Sequence, residues 1–343
     1  GQKTVCVLNG YRLPVPWKGE FCIYEPRGQA LLRILPVIYM SLAVALIFLY
    51  FAWRVSTGFG LLGLAVTLSG FSVWAFLAEA RPYSLWFLLC ALAGMAFIEI
   101  LSGKNSNLRW PWVSLAVINA LLALTIFFSA IPLLAMSAVL LLNKKREYWR
   151  HAFRVTIVPL ALCLAYYFLA KKTYPGLSQA SGGLAAVVKS GLAQLSPGMF
   201  VARQDLLLTN IPPYWLVYMA AGIVAIGVVS AGIKSAARCE GEAAIFKGLL
   251  TALVLMLLAS AAVIVWFLGW QANGNFAVAE RYFLYLTPFS ILLILAIVRN
   301  LWALAADDRW WRLSVIASIT GMLALTSLWT YIHLMKWGPF WSL

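Results

Sequence analysis

The most constraining feature of the sequence is a succession of apolar stretches, each about the length of a membrane crossing, separated by short charged or Pro/Gly-punctuated connectors. A helix needs about 20 apolar residues to cross the ~30 Å hydrocarbon layer, because each residue adds only ~1.5 Å. Stretches at about 31–53, 59–78, 84–101, 155–170, 215–233, 248–269, 283–299 and 313–331 satisfy that length. The run from Val113 to Leu142 does not fit: it is too long for one upright crossing and too short for two, with Ser129 and Pro132 near its middle. It is expected to form two half-helices that enter and leave by the same face, shielded by their neighbours. The chain therefore reads as an all-α, polytopic helical membrane protein with eight full crossings and one half-helix pair.

Composition agrees. Hydrophobic residues make up 63% of the 343 and charged residues only 11%, against roughly 45–50% and 25% in water-soluble domains. A soluble globular fold and a disordered chain are both excluded. The formal charge of +15 would suggest nucleic acid in a soluble protein. Here most basic residues sit in short connectors, where they orient helices and meet anionic headgroups, so no nucleic-acid partner is expected.

With the half-helix pair in place, 14 of the 26 Lys and Arg residues fall on one side, among them Arg54, Lys104, Arg109, Lys144, Lys145, Arg146, Arg150, Arg154 and Arg299. Nine of the other twelve lie in two long segments or the tail, which the positive-inside rule discounts. The first side is then cytoplasmic. Residues 1–30 form an extracytoplasmic N-terminal segment, and 31–343 a transmembrane domain with an extracytoplasmic loop at 171–214. In that loop Leu184, Val187, Val188, Leu192 and Leu195 have the spacing of an interfacial helix.

Several motif classes are missing. The histidines are His151 and His333 alone, and there is no CxxC or HExxH, so neither a protein-ligated transition metal nor a Ser-His-Asp hydrolase is expected, while a need for another divalent metal stays open. Of the five cysteines, Cys6 and Cys22 share the outward segment, where a disulfide is chemically permitted. Cys90 and Cys163 read as packing residues. Gly58-Phe59-Gly60-Leu61-Leu62-Gly63 matches GxGxxG formally but opens a membrane helix and follows no strand, so it reads as a close-packing surface.

Ionisable residues at outward helix ends carry the chemical information, because charge beside hydrocarbon is costly and is tied to a partner or a function. Two clusters stand out: Glu79-Ala80-Arg81-Pro82-Tyr83, and Glu280-Arg281-Tyr282. Each reads either as an interfacial ion pair with a Tyr anchor or as a ligand site.

Three blocks carry a resemblance: Ala30-Leu31-Leu32-Arg33-Ile34-Leu35-Pro36; Ser69-Gly70-Phe71-Ser72-Val73-Trp74 with Glu79-Ala80-Arg81-Pro82-Tyr83-Ser84-Leu85; and Glu280-Arg281-Tyr282-Phe283-Leu284-Tyr285-Leu286-Thr287-Pro288. In order and spacing they resemble bacterial relatives of the protein O-mannosyltransferases, membrane glycosyltransferases of the GT-C class (family 39-like). The resemblance implies an enzyme of the bacterial inner membrane that moves a sugar from a polyprenyl-phosphate donor to an acceptor, with its active site facing the periplasm. It implies Arg81 and Arg281 as donor-phosphate ligands, with Glu79, Tyr83, Glu280 and Tyr282 in support and Glu79 orienting Arg81. No cofactor is implied beyond the lipid-linked sugar. The family's catalytic acidic pair follows its first helix, and no such helix or pair occurs within residues 1–30. The chain is expected to begin after that motif, since Gly1 opens it, or else to use Glu20 or Glu25 as general base. Asp205 is a weaker candidate for acceptor or metal contact, and Lys171, Lys172 and Arg203 for phosphate.

Competing readings remain. An O-antigen-ligase-like enzyme would want an outward histidine, and only His333 offers one. A transporter or flippase for a lipid-linked intermediate would show repeats or midplane charge, where Glu99 is the one intramembrane acid. A catalytically inactive scaffold would also lack the acidic pair.

Overall fold

The computed structural model describes residues 6–8, 11–13, 26–77, 82–103, 109–142, 146–173, 240–270, 283–304 and 309–336. These are almost entirely helical. Strands β1 (Cys6–Leu8) and β2 (Tyr11–Leu13) pair antiparallel, with Cys6 opposite Leu13 and Leu8 opposite Tyr11. The two residues between them are Asn9-Gly10, the pair that tight hairpins favour because both central positions take positive φ.

The helices are α1 (Pro26–Arg54), α2 (Thr57–Ser69), α3 (Phe71–Leu77), α4 (Tyr83–Ser102), α5 (Trp110–Thr125), α6 (Ala130–Leu142), α7 (Arg146–Thr173), α8 (Glu240–Trp270), α9 (Leu286–Leu304) and α10 (Arg309–Lys336). Segments of three of them, Arg33–Arg54, Tyr83–Ser102 and Leu286–Ala303, are long and apolar enough to cross a membrane.

The boundaries differ from the sequence expectation where charge was taken as punctuation. Helix α1 begins at Pro26, a first-turn proline, and carries Pro36 within it. The expected helix over 59–78 is two pieces broken at Gly70, whose extended backbone (φ −75°, ψ 122°) ends α2. Helix α7 starts at Arg146, nine residues before the apolar run, so Arg150 and Arg154 lie on a helix and not in a connector; Lys171 and Lys172 likewise fall in its last turn. Helices α8 and α10 also extend past their apolar windows. Basic side chains near an interface do not stop a helix, since they extend toward water while the backbone ladder continues. The expected span at 215–233 lies outside the described residues.

Contacts fix the helix directions. Trp86 packs against Tyr285 with ring centroids 5.4 Å apart and planes tilted by 55°, and a Cβ on Gly94 would lie 2.4 Å from Leu292 Cδ1. Both residue numbers rise together, so α4 and α9 run parallel. A Cβ on Gly248 would lie 2.3 Å from Leu101 Cδ1, which sets α8 antiparallel to α4. Asn119 Nδ2 donates to the Val155 carbonyl (3.3 Å) and Cys163 Sγ lies 3.7 Å from the Ala123 carbonyl, making α5 and α7 parallel. Ser137 meets Thr156 and Leu133 meets Cys163, so α6 runs the other way. Helices α5 and α6 therefore form a hairpin whose bend is extended Ile126 (φ −147°, ψ 138°) and the single 3-10 turn Phe127–Ser129. At 16 and 13 residues both are shorter than an upright crossing needs.

Helix α4 is the axis of the bundle: 83% of its apolar window is buried, against 28% for α1. Small residues let neighbours approach. A Cβ on Gly60 would sit 2.8 Å from both Ala52 Cβ and the Phe48 carbonyl oxygen, which locks α2 onto α1. Helices α1, α4 and α9 end, and α2, α5, α7, α8 and α10 begin, at one end of the bundle. Arg54, Arg109, Arg150, Arg154, Lys247, Arg299 and Arg312 lie there, while Arg33 alone of the basic side chains described lies toward the opposite end. We call these the basic end and the opposite end.

Candidate functional site

The opposite end holds the starts of α4 and α9. The polypeptide enters α4 through Pro82 and Tyr83, and the Pro82 carbonyl accepts from the Trp86 amide at 2.8 Å. Tyr83 is buried at 7% exposure, with its ring 5.6 Å from that of Phe76 at the end of α3. Ser84 Oγ donates to the Phe76 carbonyl (3.0 Å), which pins α4 to α3 across their connection. One turn deeper, Trp86 is fully buried against Tyr285, and the Tyr285 hydroxyl shares a hydrogen bond with Ser260 Oγ of α8. Phe283, Leu284 and Tyr285 lead into α9 and are all buried. The starts of α4 and α9 are thus joined through aromatic contact, with α8 attached by one hydroxyl pair.

Of the residues expected to form the site, Tyr83 is described, and it is packed into the core. Glu79, Arg81, Glu280, Arg281, Tyr282, Glu20, Glu25, Cys22, Asp205 and Arg203 lie outside the described residues, as do the side chains of Cys6, Lys171 and Lys172. Among the described residues no group of three or more His, Cys, Asp or Glu is gathered as a metal would require. Cys90 and Cys163 are free, buried thiols.

Beside this end runs an apolar groove of about 540 Å³ between α1, α2 and α3, lined by Met40, Val44, Phe48, Leu61, Leu68 and Leu77 among others. The break at Gly70 lies beside it, with α2 ending at Ser69 and α3 starting at Phe71. The break also frees the Leu68 carbonyl, which Trp74 Nε1 meets at 2.7 Å from the groove wall. An unmet carbonyl facing lipid would cost several kcal/mol, so the indole repairs what the broken helix exposes. Leu77, four residues before Arg81 in the sequence, lies on the groove wall.

A second polar cluster occupies the basic end. Arg54 Nη1 bonds to Glu99 Oε1, the Tyr50 hydroxyl donates to the same oxygen at 2.7 Å, and the Arg54 guanidinium lies 5.8 Å from the Tyr50 ring centre. The side chains of Arg54 and Glu99 are 9% and 22% exposed, and Arg54 Nη2 is buried with no hydrogen-bond partner among the described residues. This network ties α1 to α4. Reading the sequence alone, Arg54 passed as a connector charge. The available signal was a lone acid in an apolar helix opposite a helix end bearing Tyr and Arg four residues apart.

No family model matches the chain, and neither a curated protein nor a solved structure matches it.

Proposed function

We propose that the protein is a polytopic membrane glycosyltransferase of the GT-C type, with eight crossings and a half-helix pair in a bacterial inner membrane. It would transfer a sugar from a polyprenyl-phosphate donor to an acceptor on the extracytoplasmic face, at the opposite end of the bundle. The observation that carries this reading is the parallel pairing of α4 and α9, with Trp86 against Tyr285. Arg81 precedes α4 by two residues and Arg281 precedes α9 by five, so both segments lead into helices that start side by side. Two guanidinium groups near one point would hold a phosphate and stabilise it as leaving group in a partly dry site. The apolar groove, with Leu77 on its wall, suits the isoprenoid tail of such a donor.

Within this reading Arg81 and Arg281 bind the donor phosphate, Glu79 orients Arg81, and Tyr282 and Glu280 contact sugar or acceptor. Tyr83, being buried, supports the bend and does not touch substrate. The general base on the acceptor hydroxyl would be Glu20 or Glu25. The test is transfer from a radiolabelled polyprenyl-phosphate sugar by protein reconstituted in vesicles. Arg81→Ala is expected to abolish transfer while the purified protein keeps its wild-type elution profile, and Arg81→Lys to restore part of it. Full activity in Arg81→Ala would remove Arg81 from the site.

A further inference from the structure

At the basic end, α5 and α7 begin side by side and run parallel, held by the stacking of Trp112 on His151 (ring centroids 5.1 Å apart, 30° between planes). Around that stack Arg109, Arg150, Arg154 and His151 are all exposed. Trp110 and Trp149 flank them at 70% and 54% exposure. Below this cationic rim each helix turns an apolar face outward: Val117 and Leu121 on α5, Phe153 and Val158 on α7.

We propose that the paired starts of α5 and α7 form a headgroup site for an anionic phospholipid of the membrane leaflet at the basic end. The arrangement matches such a lipid from top to bottom. Guanidinium groups take the phosphate, indoles sit at headgroup depth with the N–H toward water, and the apolar faces receive the acyl chains. A zwitterionic lipid gains less, because its own cation opposes the rim. The site lies at the other end of the bundle from the proposed sugar-transfer site and does not depend on that reading.

The test uses the full-length protein in nanodiscs containing equal amounts of phosphatidylglycerol and phosphatidylcholine, with retained lipid measured by native mass spectrometry after detergent transfer. Wild type is expected to retain phosphatidylglycerol over phosphatidylcholine, and the preference to fall as salt rises, since it is electrostatic. The triple variant Arg109→Gln/Arg150→Gln/Arg154→Gln is expected to lower phosphatidylglycerol retention by about tenfold or more, each charge contributing roughly fivefold near a headgroup. Arg33→Gln, at the opposite end, is expected to leave it unchanged. A brominated phosphatidylglycerol is expected to quench tryptophan emission more than brominated phosphatidylcholine in wild type but equally in Trp110→Leu/Trp149→Leu. Equal retention of both lipids by wild type, retention that ignores salt, or a triple variant that keeps the preference would overturn the proposal.

Discussion

Replacing Glu99 by Leu would remove the one acceptor that Arg54 Nη1 and the Tyr50 hydroxyl share. The guanidinium, 9% exposed in the native protein, would then have no counter-charge among the described residues. Breaking a buried ion pair from one side costs about 3–5 kcal/mol; the lower end applies, because Glu99 itself keeps 22% exposure. The stranded Tyr50 hydroxyl adds about 1 kcal/mol, so Glu99→Leu is expected to lose about 4 kcal/mol. Arg54→Met/Glu99→Leu removes both charges and keeps their volume, leaving only the hydroxyl term of about 1 kcal/mol. The double variant should therefore be the more stable of the two by about 3 kcal/mol. Unfolding in mixed micelles of increasing dodecyl sulfate, followed by tryptophan emission, measures the cycle when Arg54→Met is included. If the double variant unfolds as readily as Glu99→Leu, with a coupling energy within about 0.5 kcal/mol of zero, then the contact carries no stabilisation and the clamp between α1 and α4 is not real.

Two further outcomes follow from the same geometry. Tyr285→Phe keeps the ring against Trp86 but loses the hydroxyl shared with Ser260, which still reaches the Met256 carbonyl. The expected loss in the same unfolding assay is about 1 kcal/mol, and a loss above about 3 kcal/mol would show that the hydroxyl does more than join α8 to α9. A cysteine at Gly183 is expected to react with an impermeant thiol reagent added outside intact spheroplasts, after the native cysteines are replaced by Ser. Labelling only after lysis would invert the orientation.

Hydrophobic length located the helices well. Every apolar run that falls in the described residues is helical, the one over 59–78 as two pieces, and the awkward stretch over 113–142 is two antiparallel helices bent at Ile126–Ser129 just before Pro132. The ends were poorly legible because charge is a sign of interface and not of helix termination. Arg150 and Arg154 look like connector residues, yet the hydrogen-bond ladder of α7 passes straight through them. The break at Gly70 was hidden for a related reason: Ser69-Gly70-Phe71 is apolar enough to continue a span, and only the backbone shows that Gly70 does not. Asn9-Gly10 did signal a hairpin, but two three-residue strands carry no hydrophobic pattern to draw attention to it. The charges that precede α4 and α9 were recognisable from the sequence. The contact that brings those helices together was not, since Trp86 and Tyr285 are two aromatics among many until the register is known.

The notch at Gly94 has a mechanical consequence. With Leu292 seated where a side chain would otherwise stand, and Trp86 braced on Tyr285 two turns away, α4 and α9 can neither slide nor rotate past one another without dislodging both. They form a fixed post. The wall formed by α1, α2 and α3 has no such lock at Gly70, where α2 ends and the Trp74 indole meets the Leu68 carbonyl.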